Sequence, residues 1–390
     1  MKMRFGLLAL AAMLAATPSP AAEIPGVTSD EILVGSVGPM TGPVYVYGLM
    51  SMNGMDVVFD KVNKEGGIHG RKIRMVREDD RCNPEGAISA VRRLIYDHKV
   101  FAIIGGACTA ATLAAKPEIV RSEIPTVISI AAGNDLSAPP EKNIYAVIAV
   151  SKLEGAAQVR LAQEGGGKEV AVIAQHDAWG NPRYSSIMEE IKKAGLTVVA
   201  DERIADDAND ATAQALRLRE SGAKTVLVLA RPKAAAVLLR DAVKVGYKPE
   251  RWIGQSAMMD LDAFDQQVGI PGALDNFLAI SLIKHQPSDP EMADWGARAR
   301  GLYPSEEFST FNLVGISGAL VLVEALKRAG PDLDRESFLE AMGSIKGFDT
   351  GIIAGTINCQ PMVDHQCARG FAWVKKTSAG IETVTTTIFE

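Results

Sequence analysis

The sequence has little of several features that would assign a function at once. Aromatic residues make up only 6% of its 390 positions, there are four cysteines, and 41 basic side chains stand against 47 acidic ones. A formal net charge of −6 gives no basic field for DNA or RNA, so nucleic acid is excluded as a partner. The remaining composition, 47% apolar and 23% charged, is typical of a globular protein and excludes disorder, collagen and a coiled coil.

Long apolar runs are also scarce. A membrane helix needs about 20 apolar residues, and no run beyond the N-terminus reaches that length without charges. The run Phe5–Ala16 is too short to span, follows Lys2 and Arg4, and precedes small residues that suit signal peptidase. We therefore expect residues 1–22 to be a signal peptide cleaved near Ala22, with a retained N-terminal anchor as the alternative. The mature chain is then soluble and periplasmic.

The four cysteines are expected to form two disulfides, because thiols oxidise in an exported chain. Three pairings are possible, and joining nearest neighbours gives Cys82–Cys108 and Cys359–Cys367. The alternative is a metal cluster of Cys359, His365 and Cys367, but three ligands around a short loop lack a fourth. We expect no metal.

Strand and helix patterns alternate along the chain, and their order occurs twice. The predicted strands are Ile32–Val37, Lys72–Arg77, Val100–Ile104 and Thr126–Ile130, then Lys168–Ala174, Thr197–Arg203, Thr225–Ala230 and Trp252–Gly254. Apolar residues at helical spacing lie between them. Alternating elements require a parallel sheet with helices on both faces, so the fold class is α/β with two doubly wound parallel-sheet lobes.

The C-terminal part does not repeat this order a third time. Phe311–Arg328 is predicted to be an amphipathic helix, and Ile352–Ile357 and Gly370–Lys375 are predicted strands. No Pro/Ser-rich linker separates the parts, which favours lobes joined by several crossing strands over separate domains.

Loops at the carboxyl ends of the strands form the expected ligand site, as in other open α/β sheets. Thr109 opens a helix, where its hydroxyl and the free backbone N–H groups suit a carboxylate, or where it simply caps the helix. Arg231 directly follows a strand and either forms a salt bridge to the opposite lobe or binds an anionic ligand. Tyr45 and Tyr47 stand in a loop where a ligand wall and surface packing are equally good interpretations.

Catalytic motifs are missing. The glycines at 35, 38 and 42 have the wrong spacing for a dinucleotide site, and neither G-x-S-x-G nor H-E-x-x-H occurs. Of the five histidines, only His176 falls in a predicted site loop, beside Asp177. No nucleophile or metal accompanies this pair, and neighbouring side chains often point apart. We expect a binding protein with no catalytic residue and no cofactor, with an exported α/β enzyme as an alternative.

Four segments together resemble the periplasmic leucine/isoleucine/valine-binding proteins, the type I substrate-binding components of ABC importers. They are Gly38–Pro43 with Gly48, Asn63–Lys72, Asp79-Asp80 with Cys82, and Gly105–Thr109. The resemblance spans residues 30–383. It implies a hinged fold that closes over one small molecule and delivers it to an ABC permease in the inner membrane. It also implies a Cys82–Cys108 bridge.

The same resemblance implies the division of the chain and the ligand contacts. Lobe 1 comprises residues 23–147 with 283–353, and lobe 2 comprises residues 148–282 with 354–390. The implied contacts are Tyr47, Thr109, Ala131, Ala132 and the position of Gly133 in lobe 1, and Asp177, Trp179, Arg231 and Ser256 in lobe 2.

Three of these positions depart from the family pattern. Gly133 stands where amino-acid-binding members keep a hydroxyl, Ser256 where an acid pairs with the ligand ammonium, and Arg231 where an aromatic often closes the pocket. A buried ammonium without a counter-charge costs several kcal/mol, which disfavours a plain amino acid unless Asp177 or Asp260 compensates. We expect a small carboxylate, aromatic or otherwise. The alternatives are a branched-chain or other amino acid, or a ligand-sensing role for a membrane receptor.

Overall fold

The computed structural model describes residues 24–359 and 365–389, which form two lobes, each built around one sheet. The strands are β1 (Glu31–Gly38), β2 (Lys72–Asp79), β3 (Ala102–Gly105), β4 (Thr126–Ile128), β5 (Ile144–Ala146), β6 (Glu169–Gln175), β7 (Thr197–Ile204), β8 (Thr225–Leu229), β9 (Arg251–Gly254), β10 (Phe277–Ser281), β11 (Gly370–Thr377) and β12 (Gly380–Ile388). The helices are α1 (Ser51–Lys64), α2 (Pro84–Arg92), α3 (Thr109–Ser122), α4 (Ser151–Glu164), α5 (Gly180–Ala194), α6 (Thr212–Glu220), α7 (Pro232–Lys244), α8 (Leu261–Val268), α9 (Ala293–Leu302), α10 (Thr310–Ala329) and α11 (Arg335–Gly343).

The lobe 1 sheet has the strand order β2-β1-β3-β4-β5 and is parallel throughout. The lobe 2 sheet has the order β12-β11-β10-β9-β8-β6-β7. Its strands from β10 to β7 are parallel, whereas β11 and β12 are antiparallel. The prediction of two α/β lobes with parallel sheets is confirmed, with an antiparallel hairpin added at one edge of lobe 2.

One part of the lobe 1 core lies between its sheet and helices α1 and α10, and a second part lies on the other face of the sheet, against α2 and α3. On α1, the apolar residues Met55, Val58 and Phe59 recur at helical spacing and are buried. A glycine lets α1 and α10 approach each other closely, because a Cβ on Gly54 would lie 2.1 Å from the carbonyl oxygen of Asn312. This packing fixes the start of α1, which follows the first predicted site loop.

Helix α10 is the longest helix of lobe 1. Among the described residues, it alone is long and apolar enough to cross a membrane, and 78% of its most apolar stretch is buried inside the fold. Its burial against α1 makes it a core helix of lobe 1 rather than evidence for a membrane span.

The C-terminal part departs from the sequence prediction in two ways. The predicted strand Ile352–Ile357 is wrong, because this stretch is irregular and pairs only through an isolated bridge from Phe348 to Ile357. Its apolar residues signal burial, not extension, and Gly351 and Gly355 take positive φ angles of 74° and 80°. Strand β12 gave no sequence signal, since most of its side chains are polar and partly exposed.

Backbone segments lie side by side where the chain passes between the lobes. The carbonyl oxygen of Ala146 accepts from the N–H of Cys367 at 2.7 Å, and Ala146 itself donates to His365 at 2.9 Å. Lys284 donates to the carbonyl oxygen of Ile352 at 2.7 Å. We propose that the lobes join here, with the expected boundaries near residues 147, 282 and 353.

Both disulfides join nearest neighbours in the sequence. The Cα atoms of Cys82 and Cys108 are 5.4 Å apart, and those of Cys359 and Cys367 are 4.3 Å apart. The alternative metal cluster at Cys359 and Cys367 is wrong, because both thiols are consumed in the bridge. Nδ1 of the third proposed ligand, His365, lies 3.0 Å from the carbonyl oxygen of Ile144. The predicted signal peptide lies outside the described residues.

Candidate functional site

Every predicted site residue lies on a loop or turn that follows the carboxyl end of a strand. In lobe 1, Tyr47 follows β1, Thr109 follows β3, and residues 131–133 follow β4. In lobe 2, Asp177 and Trp179 follow β6, while Arg231 and Ser256 follow β8 and β9. Because these ends meet at one edge of each sheet, they are where open α/β sheets bind ligands, and we call the space between these loops of the two lobes the crevice.

Tyr47 belongs to a short π-helical turn, Val46–Met50, that leads into α1. The turn passes so close to Pro39 that a Cβ on Gly48 would lie 2.2 Å from the Pro39 carbonyl oxygen. The Tyr47 ring packs edge-on against Phe311, with 4.8 Å between ring centres. This contact holds the tyrosine at the lobe 1 side of the crevice.

Two charged residues of lobe 2 influence the Tyr47 hydroxyl. Burial raises the pKa of the Tyr47 hydroxyl, the charge of Arg231 lowers it, and the charge of Asp206 raises it. Arg231 and Asp206 both belong to lobe 2, on the loops after β8 and β7. Charges on lobe 2 therefore influence the Tyr47 hydroxyl of lobe 1.

Thr109 is the first residue of α3, and Cys108 occupies the capping position before it. The alternative role of Thr109 as a helix cap is therefore wrong. The Cys108 sulfur is held in its disulfide and gives no side-chain cap. Among the residues that the structure describes, the half-buried Thr109 hydroxyl has no hydrogen-bond partner. This hydroxyl and the first N–H groups of α3 can accommodate an anion.

The loop after β4 contributes mainly backbone. The N–H of Ala131 donates to the carbonyl oxygen of Gly106 at 2.7 Å, and the carbonyl oxygen of Ala132 accepts from both the N–H and the hydroxyl of Ser151, each at 2.7 Å. A Cβ on Gly133 would lie 2.3 Å from Cγ2 of Thr109. The missing hydroxyl at position 133 thus has a steric reason, since the Thr109 methyl group occupies the space.

Arg231 stands at the start of α7, where its N–H donates to Oε1 of Gln175 at 3.0 Å. Its guanidinium carbon lies 5.4 Å from the centre of the Trp179 ring. Nη1 is 3.7 Å from Oδ2 of Asp206, and the side chain is 37% exposed. The salt-bridge partner lies in the same lobe, so the alternative of a bridge to the opposite lobe is wrong. Sequence reasoning missed Asp206, because nothing local distinguishes it from its acidic neighbours.

Asp177 holds its own loop in place. One of its carboxylate oxygens accepts from the N–H groups of Trp179 and Gly180 at 3.0 and 2.7 Å, and the other accepts from the Gln175 amide at 2.6 Å. Burial alone would raise the pKa of Asp177, but these hydrogen bonds and the charge of Arg231 outweigh it and lower the pKa. Its contact with a ligand stays a prediction.

Two other polar residues of the crevice have local roles. Asp260 caps α8 by accepting from the N–H of Ala263 at 3.1 Å. The exposed His176 ring lies 3.4 Å from Nη2 of Arg203. Because the oxygens of Asp177 are occupied within its own loop, His176 and Asp177 do not form the acid/base pair considered from the sequence.

Ser256 forms a hydrogen bond with Glu154, an acid that was not predicted from the sequence. Its hydroxyl donates to Oε1 of Glu154, a fully buried residue on α4. Burial raises the pKa of Glu154, and the charge of Arg183 and the Ser256 hydrogen bond oppose this shift. A carboxylate therefore lies next to the position where the family keeps an acid, but it comes from a different helix and is covered by protein.

Two α/β lobes that join through adjacent segments and face each other across a crevice define a class of protein that binds a small molecule between its lobes. The chain belongs to the periplasmic binding protein family, because residues 31–380 match the model of that family. The members of this family bind solutes and are not enzymes. This membership confirms the resemblance noted in the sequence and fits an exported protein.

Individual proteins are similar to this chain over most of its length. Leu/Ile/Val-binding protein homolog 7 of Brucella abortus (strain 2308) is 25% identical, and the match covers 88% of this chain and 85% of that protein. The crystal structure of a leucine binding protein from Thermotoga maritima superposes with a TM-score of 0.77 at 20% identity, covering 92% of this chain and 99% of the other. A solute binding protein of R. palustris in complex with benzoate gives a TM-score of 0.75 at 16% identity, covering 92% and 96%. The two structures show the shared fold.

Proposed function

We propose that this protein is the extracytoplasmic binding component of an ABC transporter and that it captures a small organic carboxylate between its lobes. The observation that carries the proposal is Arg231, the guanidinium group that acts on Tyr47 across the crevice. A guanidinium can donate two parallel hydrogen bonds to one carboxylate. Thr109 and the start of α3 offer further donors on the opposite wall.

Two acids of lobe 2, Asp177 and Glu154, are placed in a way that favours an anionic ligand. Asp177 accepts three hydrogen bonds within its loop, which occupy most of its carboxylate, and Glu154 is fully buried. Neither is free to receive a ligand ammonium in this conformation. Arg231 then supplies the charge with which a ligand interacts, and the Tyr47 and Trp179 rings suit an aromatic or other apolar body.

An amino acid is the second candidate, and Asp206 favours it. Its carboxylate is half-exposed and lies close enough to Tyr47 to raise the pKa of that hydroxyl. Asp206 could therefore pair with an ammonium while Arg231 pairs with the carboxylate of the same ligand. Names of relatives support both candidates, since they include a leucine-, isoleucine-, valine-, threonine-, and alanine-binding protein of Pseudomonas aeruginosa and the benzoate complex.

Closure is the proposed mechanism. A ligand that binds one wall first shifts the equilibrium towards a closed state if the second wall adds contacts that only the closed state makes. Micromolar binding corresponds to about −8 kcal/mol, which a few charge-assisted hydrogen bonds and an apolar wall can supply. The closed form would then be the form that an ABC permease recognises.

Mass spectrometry of the ligand that co-purifies with the protein, followed by a thermal-shift screen, tests this proposal. The screen compares benzoate and aliphatic acids with benzamide and with leucine. We expect acids to raise the melting temperature and benzamide to have no effect. Stabilisation by leucine but not by any simple acid would contradict the carboxylate proposal and support the amino-acid candidate.

A further inference from the structure

A buried arginine next to Trp179 has no role in the proposed ligand contacts. Arg183 lies four residues further along the chain, on α5, and is only 8% exposed. Its guanidinium carbon lies 4.0 Å from the centre of the Trp179 ring, and Nη1 donates to the carbonyl oxygen of Trp179 at 3.1 Å. Arg183 is therefore fixed to both the ring and the backbone of the same tryptophan.

The buried charge of Arg183 is poorly compensated by direct contacts. Within the described part of the chain, Arg183 forms no salt bridge, and its Nε has no hydrogen-bond partner. Glu154 is the acid that acts on it most strongly, and Oε2 of Glu154 also has no partner among the described residues. Burying a charge in this way is costly, so a purely structural role is better served by an apolar residue of similar size.

The position of Glu154 is itself tightly fixed. Its helix, α4, begins at Ser151, which donates twice to the carbonyl oxygen of Ala132 in the lobe 1 site loop. Ser256 then holds Oε1 of Glu154 from the lobe 2 side.

Burial lowers the pKa of Arg183, the charge of Glu154 opposes this shift, and the like charge of Arg231 adds to it.

Arg183 and Arg231 share one indole. Arg231 lies 5.4 Å from the centre of the same ring that Arg183 contacts at 4.0 Å. The face of an indole attracts a cation, so the orientation of the ring influences where the partly exposed Arg231 side chain lies. Among the described residues, Arg231 is otherwise restrained by the hydrogen bond from its backbone N–H to Gln175 and by a 3.7 Å contact with Asp206.

We propose that Arg183 is a positioning residue that fixes the Trp179 ring so that Arg231 presents its guanidinium to the crevice, with Glu154 as the buried counter-charge. The inference deepens the proposed function and rests on it for the identity of the ligand. Selectivity for a carboxylate over its neutral amide then depends on a residue that does not touch the ligand.

Fluorine NMR of protein labelled with 5-fluorotryptophan tests the ring orientation without any ligand. The chain has four tryptophans, and the Trp179 signal is assigned by its loss in Trp179→Phe. We expect Arg183→Met to shift the Trp179 signal and leave the other three in place. Arg217→Met is the matched control, because Arg217 pairs with Glu202 elsewhere in lobe 2 and should change no signal.

A second readout is the ratio of the affinities for benzoate and benzamide, which we expect to fall about tenfold in Arg183→Met. A folded Arg183→Met protein with an unchanged Trp179 signal overturns the proposal, even if its melting temperature falls. If Arg183→Met does not fold, Arg183→Lys decides: a shifted Trp179 signal supports a role of the planar guanidinium, and an unchanged one overturns it. If no acid binds the natural protein, the proposed function fails, while the NMR result still decides the role of Arg183.

Discussion

The two walls of the crevice are built from different materials. Lobe 1 offers backbone groups, small residues, the Tyr47 ring and the start of α3 at Thr109, and the Cys82–Cys108 disulfide ties that helix start to the neighbouring loop. Lobe 2 offers long side chains. Arg231 lies near the Trp179 ring, and the buried, charged Arg183 contacts the same ring. Backbone groups are fixed by the fold, whereas long side chains change with each substitution. Lobe 1 is therefore suited to binding the carboxylate of any ligand, and lobe 2 is suited to selecting among ligands.

Asp80 of lobe 1 and Asp177 of lobe 2 differ in how their carboxylates are held. In lobe 1, Asp80 is buried and its Oδ1 accepts one hydrogen bond, at 2.8 Å, from the N–H of Cys82. In lobe 2, Asp177 accepts three hydrogen bonds, and its pKa is lowered. Asp80 thus supports the backbone at the Cys82–Cys108 disulfide, and Asp177 holds the loop after β6 in place.

Removing the disulfides should have the largest effect on stability. The Cys82–Cys108 bridge joins residues 26 apart, so Cys82→Ser with Cys108→Ser should lower the free energy of unfolding by about 3.5 kcal/mol. The matched Cys359→Ser, Cys367→Ser variant opens a bridge between residues 8 apart and should cost about 2.5 kcal/mol. Urea unfolding measures both. Only the first variant should also weaken ligand binding, because Cys108 precedes Thr109; equal loss of affinity in both would contradict the rigid lobe 1 wall.

The ionisation of Asp80 should be detectable in the pH dependence of the free energy of unfolding. Burial, the largest cause, raises its pKa from 3.8 to about 6, the Cys82 N–H opposes this, and the charge of Asp79 adds to it. A raised pKa means that protonated Asp80 favours the folded state. The contribution of Asp80 to the free energy of unfolding is complete below pH 3.8 and is lost as the pH rises through 6. The free energy of unfolding changes by at most about 3 kcal/mol over this range. Asp80→Asn should remove this slope in urea unfolding between pH 4 and 7.

The neighbouring Asp79 is the control for that experiment. Burial raises its pKa, but the Thr41 hydroxyl and the N–H groups of Met40 and Arg81 outweigh burial, and the net shift is downward. Asp79 therefore stabilises the fold above pH 3.8 and loses this effect as the pH falls. Asp79→Asn should destabilise the protein at pH 7, opposite in sign to Asp80→Asn. The same sign for both variants would show that the Asp80 assignment is wrong.

Substitutions on the two walls should differ in their effect on affinity. Arg231→Ala removes the charged donor of lobe 2 and should weaken carboxylate binding by about 2–3 kcal/mol, which is roughly 30- to 150-fold. Thr109→Val keeps the methyl group against Gly133 and the N–H groups of α3, so it should cost only about 1 kcal/mol. Titration calorimetry with the acid found in the screen measures both. An equal loss of affinity in Arg231→Ala and Thr109→Val would contradict the proposed difference between the two walls.

The smallest effect is expected at Gly133. Gly133→Ser restores the hydroxyl of the amino-acid-binding relatives but places a Cβ 2.3 Å from Cγ2 of Thr109. Rotation of Thr109 can relieve this clash, so we expect a loss of about 1 kcal/mol in affinity for the carboxylate. Gly133→Ala separates the steric effect from the hydroxyl. If Ser but not Ala created leucine binding, position 133 rather than lobe 2 would set the ligand class.

Much of the fold follows from local patterns in the sequence. A short apolar run placed β1, alternation placed β2, and the position of Arg231 directly after a strand put it at the carboxyl edge of the sheet. The stretch Ile352–Ile357 misled the prediction, because a buried irregular loop and a buried strand have the same apolar composition. Local periodicity reports burial and repeat length, but it does not distinguish these two cases.

The sequence by itself determined the two α/β lobes and the loops where the site residues lie, because these depend on short-range periodicity and on strand order, whereas it left three pairings of the cysteines open. Only the tertiary structure decided how those residues meet. Ser256 and Glu154 are 102 positions apart and bond to each other, Arg231 finds Asp206 on another loop, and Gly133 makes room for Thr109. Such contacts depend on how distant loops pack at one sheet edge, and no local pattern of residues encodes that packing.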